Sequence, residues 1–317
     1  MSSITKTIIK LPAIPTWVAP ALATLGIALA VACGSSAVAT PAPQPTTAPA
    51  DPSAITPILA TTILEVGEQR VAFLLTTSKG LIKTPIAFVT PVYLDGGGAP
   101  GETLEMAFNL WPYGVRGSYS AYVNFDRAGR WRLDIEVDNP DGVDQVQIEV
   151  EVLEKSPVPA LGSKALLSLT KTLSSEGSIE KITTDYSPDP DLYQLTIKEA
   201  VENPLPSVVV FASPAFCTSP TCGPQVDTVG ELKDEYPGQA NFIHVEIYDN
   251  PDEIQGDLDR AEIFSVVDDW GLTSIEDYFN ESWTFILDAD GQIRDRFEGF
   301  ATLDELETAL LKVLPQG

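Results

Sequence analysis

Two of the three cysteines in this 317-residue chain stand close together, in Phe211-Ala-Ser-Pro-Ala-Phe-Cys217-Thr-Ser-Pro-Thr-Cys222-Gly-Pro-Gln225. Four residues separate Cys217 from Cys222, and such a pair can make, break or pass on a disulfide by thiolate attack. The elements that must position them are legible. Ser207-Val-Val-Val-Phe211 reads as a buried strand, and Pro224 stands where a helix would begin, with Val226, Val229 and Leu232 following at helical spacing. Two thiols are therefore delivered at a strand-to-helix turn, where backbone N–H groups and the helix dipole favour a thiolate. His244, the single histidine, falls in the middle of a second strand, 240–248. At ~3.3 Å per residue its ring sits on the order of 10 Å or more from the sulfurs, which predicts a satisfied core or sheet-face histidine and no catalytic base or metal ligand.

From about residue 192 to the C-terminus the chain resembles the thioredoxin fold. The carriers are the strand 207–211, the cysteine turn, a helix to about Tyr236, the strand 240–248, and a hairpin from Trp283-Thr-Phe-Ile-Leu287 through Asp288-Ala-Asp-Gly291 into 292–297. Thr302 with Glu305 forms a capping box that opens a last helix, striped by Leu303, Leu306, Leu310 and Val313. The resemblance implies a mixed sheet flanked by helices and catalysis by Cys222 and Cys217. Cys222 is followed by Gly-Pro like the family's attacking cysteine, so it is expected to be the nucleophile and Cys217 the resolving partner. Ser282, Trp283 and Pro224 are then expected to face the substrate.

The departures from the family narrow this. The spacing is longer than C-x-x-C, and Ser282 replaces the family's cis-proline; a cis bond there would cost about 2.5–4 kcal/mol, so it is expected to be trans. The strand before the thiols carries no acid, and 273–280 reads as an insertion that brings Glu276 and Asp277 toward the cysteines. A structural disulfide stays open as the alternative. Copper delivery of the Sco type needs a histidine from another loop, and a peroxiredoxin needs Arg and Thr where Ser282 and Ser219 stand.

The chain carries 45 acidic against 19 basic residues, a net charge of −26. Such a surface repels nucleic acid and anionic headgroups, so neither is an expected partner. The first fifty residues contain two lysines and no acid. Lys6, Lys10 and the apolar run from Ala21 to Ala32 fit a secretory leader. It ends in Ala30-Val-Ala-Cys33-Gly, which resembles a bacterial lipobox and implies lipidation of Cys33. An uncleaved membrane helix is the alternative, although the run is short of the ~20 residues that span comfortably. Residues 34–57, almost entirely Ala, Pro, Thr, Ser and Gln, are expected to form a disordered spacer. With Cys33 lipidated, a single cysteine pair remains in an oxidising compartment.

From about 58 to 155 the period is two. Tyr119, Ala121, Val123 and Phe125, then Leu133, Ile135 and Val137, then Val146, Ile148, Val150 and Val152 alternate with polar residues, separated by turns at 126–129, 139–142 and 95–101. Six or seven such strands predict an immunoglobulin-like sandwich. The segment from Gly117 to Leu133 is similar to small exported domains of the YtkA-like type, in which Trp131 is a core residue. Met106 stands there without a histidine, so a metal site is not expected. Trp111-Pro-Tyr113 reads as a loop packing on its own core, with an exposed aromatic patch as the alternative.

The expected class is thus an α/β thioredoxin-like C-terminal domain plus an all-β immunoglobulin-like sandwich. The expected segments are a leader at 1–33, a spacer at 34–57, the sandwich at 58–155, a connector at 156–191 and the thiol domain at 192–317. The expected function is thiol–disulfide exchange outside the cytoplasm by a membrane-anchored lipoprotein acting on envelope protein thiols or disulfides, with no cofactor. A non-catalytic envelope scaffold with a structural disulfide is the alternative, and copper delivery a third.

Overall fold

Alternating apolar residues broken by glycine turns give strands throughout the first half of the chain. The computed structural model describes residues 54–97, 99–112, 114–139, 142–217, 219–275 and 281–315. The leader, Cys33, nearly all of the 34–57 spacer, and Glu276 with Asp277 lie outside the described residues. Residues 56 and 57, counted in the expected spacer, already belong to the first strand, which begins at Thr56.

The strands are β1 (Thr56–Leu59), β2 (Leu64–Glu65), β3 (Gly67–Thr77), β4 (Gly80–Leu81), β5 (Ile86–Tyr93), β6 (Leu104–Leu110), β7 (Gly117–Phe125), β8 (Gly129–Asn139) and β9 (Gly142–Leu153). They join one nine-stranded sheet in the order β1-β3-β7-β6-β5-β8-β9-β2, with β4 paired to β3. Neighbours are antiparallel except β2 and β9, which run parallel. The sheet curls into a half-barrel, and its inner face is filled by its own side chains. Val71, Phe73, Val89, Met106, Tyr119 and Leu133 are inaccessible there. Trp131 packs edge-on against Phe125 and Tyr93, as its place in the alternation predicts.

Helices are few: α1 (Leu173–Glu176), α2 (Ile197–Glu202), α3 (Cys222–Glu235), α4 (Pro251–Ile254), α5 (Ser265–Asp269) and α6 (Leu303–Leu311). The predicted capping box at Thr302 and Glu305 opens α6, and a second, Thr196 with Glu199, opens α2. A four-stranded sheet of β10 (Ser207–Ala212), β11 (Asn241–Glu246), β12 (Trp283–Leu287) and β13 (Ile293–Glu298) lies among them in the order β11-β10-β12-β13. β10 is parallel to β11 and antiparallel to β12, which is antiparallel to β13. One face packs Val208, Val210 and Ile286 against α3 and α6. The other packs Val209, Phe211 and Phe285 against Trp270, α2, α5 and the extended chain around Val158 and Ala165.

The predicted class is overturned. The molecule is mostly β, built from a nine-stranded curled sheet and a four-stranded sheet with few helices, and is neither an α/β thioredoxin fold nor an immunoglobulin sandwich. The reason is physical. Period-two alternation states that each strand has one buried face, and a curled sheet satisfies that by covering its own concave side, with no second sheet required. In the second half one face of the small sheet is covered largely by short turns and extended chain where α-helices were expected.

Residues 50–317 make one unit. The 156–191 connector is built into it, with Ser168 accepting a hydrogen bond from the Trp270 indole at 2.9 Å. β13 lies against the outer face of the large sheet. Tyr122 on β7 donates to Asp295 at 2.5 Å, Arg70 on β3 pairs with Glu305 at 2.8 Å, and Thr62 donates through its backbone N–H to Glu298 at 2.7 Å.

Candidate disulfide site

Cys222 and Cys217 are joined as a disulfide, their Cα atoms 5.9 Å apart. β10, apolar and buried along its whole length, fixes the approach of the chain, and Cys222 opens α3. Pro224, in the first turn of α3, is half-buried, and its carbonyl accepts from Thr228 at 2.8 Å. The two sulfurs differ sharply in access. Cys222 is wholly inaccessible, packed in the core between α3 and the small sheet, whereas Cys217 is only partly covered. This runs against the assignment of Cys222 as the attacking sulfur, since the residue nearest the helix end is also the one α3 carries into the core.

Cys217 Sγ stands 3.8 Å from Thr221 Oγ1 and 4.0 Å from Ser219 Oγ. Both hydroxyls donate to one carboxylate oxygen of Glu281, at 2.9 and 2.5 Å. Glu281 stands two residues before β12, so its carboxylate is brought to the cysteine turn by the strand that pairs with β10. Beside this cluster opens a cavity of about 600 Å³. Ser219, Thr221 and Glu281 line one side of it. Leu59, Leu74, Trp111, Phe300 and Trp283 supply apolar wall, and Arg116 lies at its margin. Trp111 packs on its own chain, its ring 5.7 Å from Phe300 and its indole N–H donating to Ser118 at 3.3 Å.

Of the three residues expected to face a substrate, Trp283 lines this cavity. Ser282 does not: it is fully buried, and its hydroxyl donates to the Gly299 carbonyl at 3.0 Å while its own carbonyl accepts from the Gly299 N–H. Its register against β13 commits both polar groups. No cis peptide bond occurs among the described residues.

On the other side of the cysteine turn lies a buried polar group that the strand pattern alone did not single out. Glu246 ends β11, accepts from the Thr184 N–H and hydroxyl at 2.8 Å each, and accepts from the Ile247 N–H at 3.0 Å. Burial pushes its carboxyl up to about 7, against hydrogen bonds that favour the charged form. Thr184 in turn accepts from the Ala215 N–H at 3.2 Å, two residues before Cys217. The signal was the single acid of this strand, at its C-terminal end. Glu281 carried a similar one, an acid two residues before the strand β12.

His244 is buried as expected. Tyr193 O–H donates to its Nδ1 at 2.7 Å, and its Nε2–H donates to the Ala212 carbonyl at 3.0 Å. Burial holds its imidazole down at about 4, so the ring is neutral. Among the described residues, no group of three or more His, Cys, Asp or Glu side chains is arranged to hold a metal ion. No helix among them is long and apolar enough to cross a membrane.

No protein-family model and no curated protein matches the chain. Among solved structures it is similar, at 16% identity and a TM-score of 0.22, to the crystal structure of an engineered protein. The match covers 32% of this chain and 21% of that one, a likeness that carries no argument about fold or function.

Proposed function

We propose that this protein exchanges disulfides with protein thiols outside the cytoplasm, tethered to a membrane by lipid on Cys33, and that Cys217–Cys222 is its working bond. The observation that carries the reading is the unequal access of the two sulfurs at the head of a 14-residue helix. An incoming thiolate reaches Cys217 Sγ and forms a mixed disulfide there. The Cys217–Cys222 bond breaks, and its electron pair leaves on Cys222 Sγ, where the first N–H groups of α3 stabilise the thiolate. A second thiol of the substrate then attacks the substrate's own sulfur and releases Cys217. The substrate gains a disulfide, and this protein keeps two thiols.

A second reading, a scaffold braced by a structural disulfide, is favoured by the complete burial of Cys222. Titration against glutathione separates the two. Exchange requires the pair to open at a potential above about −300 mV, whereas a brace stays closed. Trapping gives the roles. Cys222→Ser is expected to accumulate a mixed disulfide at Cys217, and Cys217→Ser to accumulate none.

A further inference from the structure

The cavity beside Cys217 has the volume and lining of a ligand site, with mostly apolar walls, three aromatic rings and several polar groups, among them Ser219, Thr221 and Glu281 on the side of the cysteine turn. The Ser219 and Thr221 hydroxyls there stand within 4.0 Å of the partly covered Cys217 sulfur. A molecule seated in the cavity therefore lies next to the bond that exchanges. Trp283 adds a second sign: its indole N–H is buried among the described residues with no acceptor, and its ring lines the cavity. A ligand rich in carbonyl groups supplies acceptors to such a wall.

We infer that the cavity seats a large apolar side chain of an extended polypeptide substrate, next to the substrate's reacting cysteine and with a basic residue close by. The inference rests on the exchange reading and names its substrate class. Charge selects the occupant. The chain carries −26 overall, and two carboxylates, Glu281 and Glu298, line the cavity against one cation, Arg116, so small anionic thiols are repelled and a neutral or basic segment is drawn in. The reaction is the one written above, with the peptide thiolate as attacking group and Cys222 as leaving group.

The test uses the full chain and three synthetic octapeptides that carry a lysine two residues from the centre. One has Phe-Cys at its centre, one Gly-Cys, and one Phe-Ser. The Phe-Cys peptide is expected to form the mixed disulfide at least ten-fold faster than the Gly-Cys peptide. The Phe-Ser peptide is expected to bind without reacting, read by tryptophan fluorescence, and more weakly as salt rises. Ala60→Phe, which fills the cavity from the residue after β1, is expected to bring the Phe-Cys rate down to that of the Gly-Cys peptide and to abolish binding of the Phe-Ser peptide. If that variant unfolds, Trp111→Ala removes wall from a half-exposed site and must lower the ratio. Equal rates for the two cysteine peptides overturn the inference and leave the exchange reading intact. Saturable binding of indole that the Phe-Ser peptide does not displace also overturns it, giving the cavity to a small apolar ligand. Binding of the Phe-Ser peptide with no exchange by any peptide keeps the cavity assignment to a peptide side chain but overturns exchange.

Discussion

Arg296 Nη2 lies 3.3 Å from the Glu65 carboxylate across the junction of the two sheets, with both side chains more than nine-tenths buried. Arg296 also donates to Gln69 at 3.0 Å, to Ser156 at 3.3 Å and to the Pro159 carbonyl at 3.2 Å. One guanidinium thus joins β13, β3 and the connector. Arg296→Met leaves Glu65 buried without its cation and is expected to cost about 3–5 kcal/mol in chemical denaturation. Adding Glu65→Leu is expected to recover much of that loss, because an apolar pair replaces the stranded charge.

Two buried groups near the cysteine turn give stability opposite pH slopes. The folded pKa of Glu246 is raised, so its contribution is full below its ordinary value near 4.5 and is lost as pH rises through about 7. The folded pKa of His244 is depressed, so its contribution is full above about 6.5 and is lost as pH falls through about 4. Glu246→Gln should therefore leave stability rising with pH between 4.5 and 6.5, where the wild type is flatter. Denaturation at four pH values in that window reads the slope, and an unchanged slope would refute the assignment.

Gly271 sits at φ +70°, and a Cβ there would stand 2.1 Å from the Pro157 carbonyl oxygen. Gly271→Ala combines left-handed backbone strain with a clash against main chain that holds the connector. A cost of roughly 2 kcal/mol or more is expected, together with faster proteolysis of the 156–172 segment.

Glu305 serves two elements at once. One oxygen accepts from Arg70 at 2.8 Å and Ser120 at 2.7 Å, and the other from the Thr302 N–H at 2.9 Å. Burial pushes its carboxyl up, but Arg70, the Thr302 N–H and Ser120 outweigh that and hold it below the usual range. Thr302→Ala, which removes only the cap, is expected to cost about 1 kcal/mol. Glu305→Ala also strands Arg70 and is expected to cost about 3 kcal/mol or more.

Reducing Cys217–Cys222 opens a loop of six residues, which the chain-entropy estimate values at about 2 kcal/mol. Thermal unfolding with and without reductant measures it. A loss several times larger would mark the bond as a principal brace and favour the scaffold reading.

The strands β7, β8, β9, β10 and β12, the helix after the cysteines and the cap at Thr302 were all legible, because each is specified by residues within a few positions of one another. So was the burial of His244, which follows from its place in the middle of a strand. The fold class was not legible. An alternating strand states that one face is buried and is silent on what covers it, and here the large sheet curls over its own side chains. β13 shows the same limit. Its sequence Ile-Arg-Asp-Arg-Phe-Glu carries four charges, yet Asp295, Arg296 and Glu298 are buried: Tyr122 on β7 meets Asp295, Gln69 on β3 and Glu65 meet Arg296, and the Thr62 and Ile63 N–H groups meet Glu298. The cysteine pair was evident from spacing, but which sulfur faces outward was settled by how α3 packs on β10 and β12. The apolar cavity beside it draws on residues as far apart as Leu59 and Phe300. Local patterning fixes what each segment must hide; only the assembled chain decides which segment hides it, because burial is a property of the partner surface and not of the strand alone.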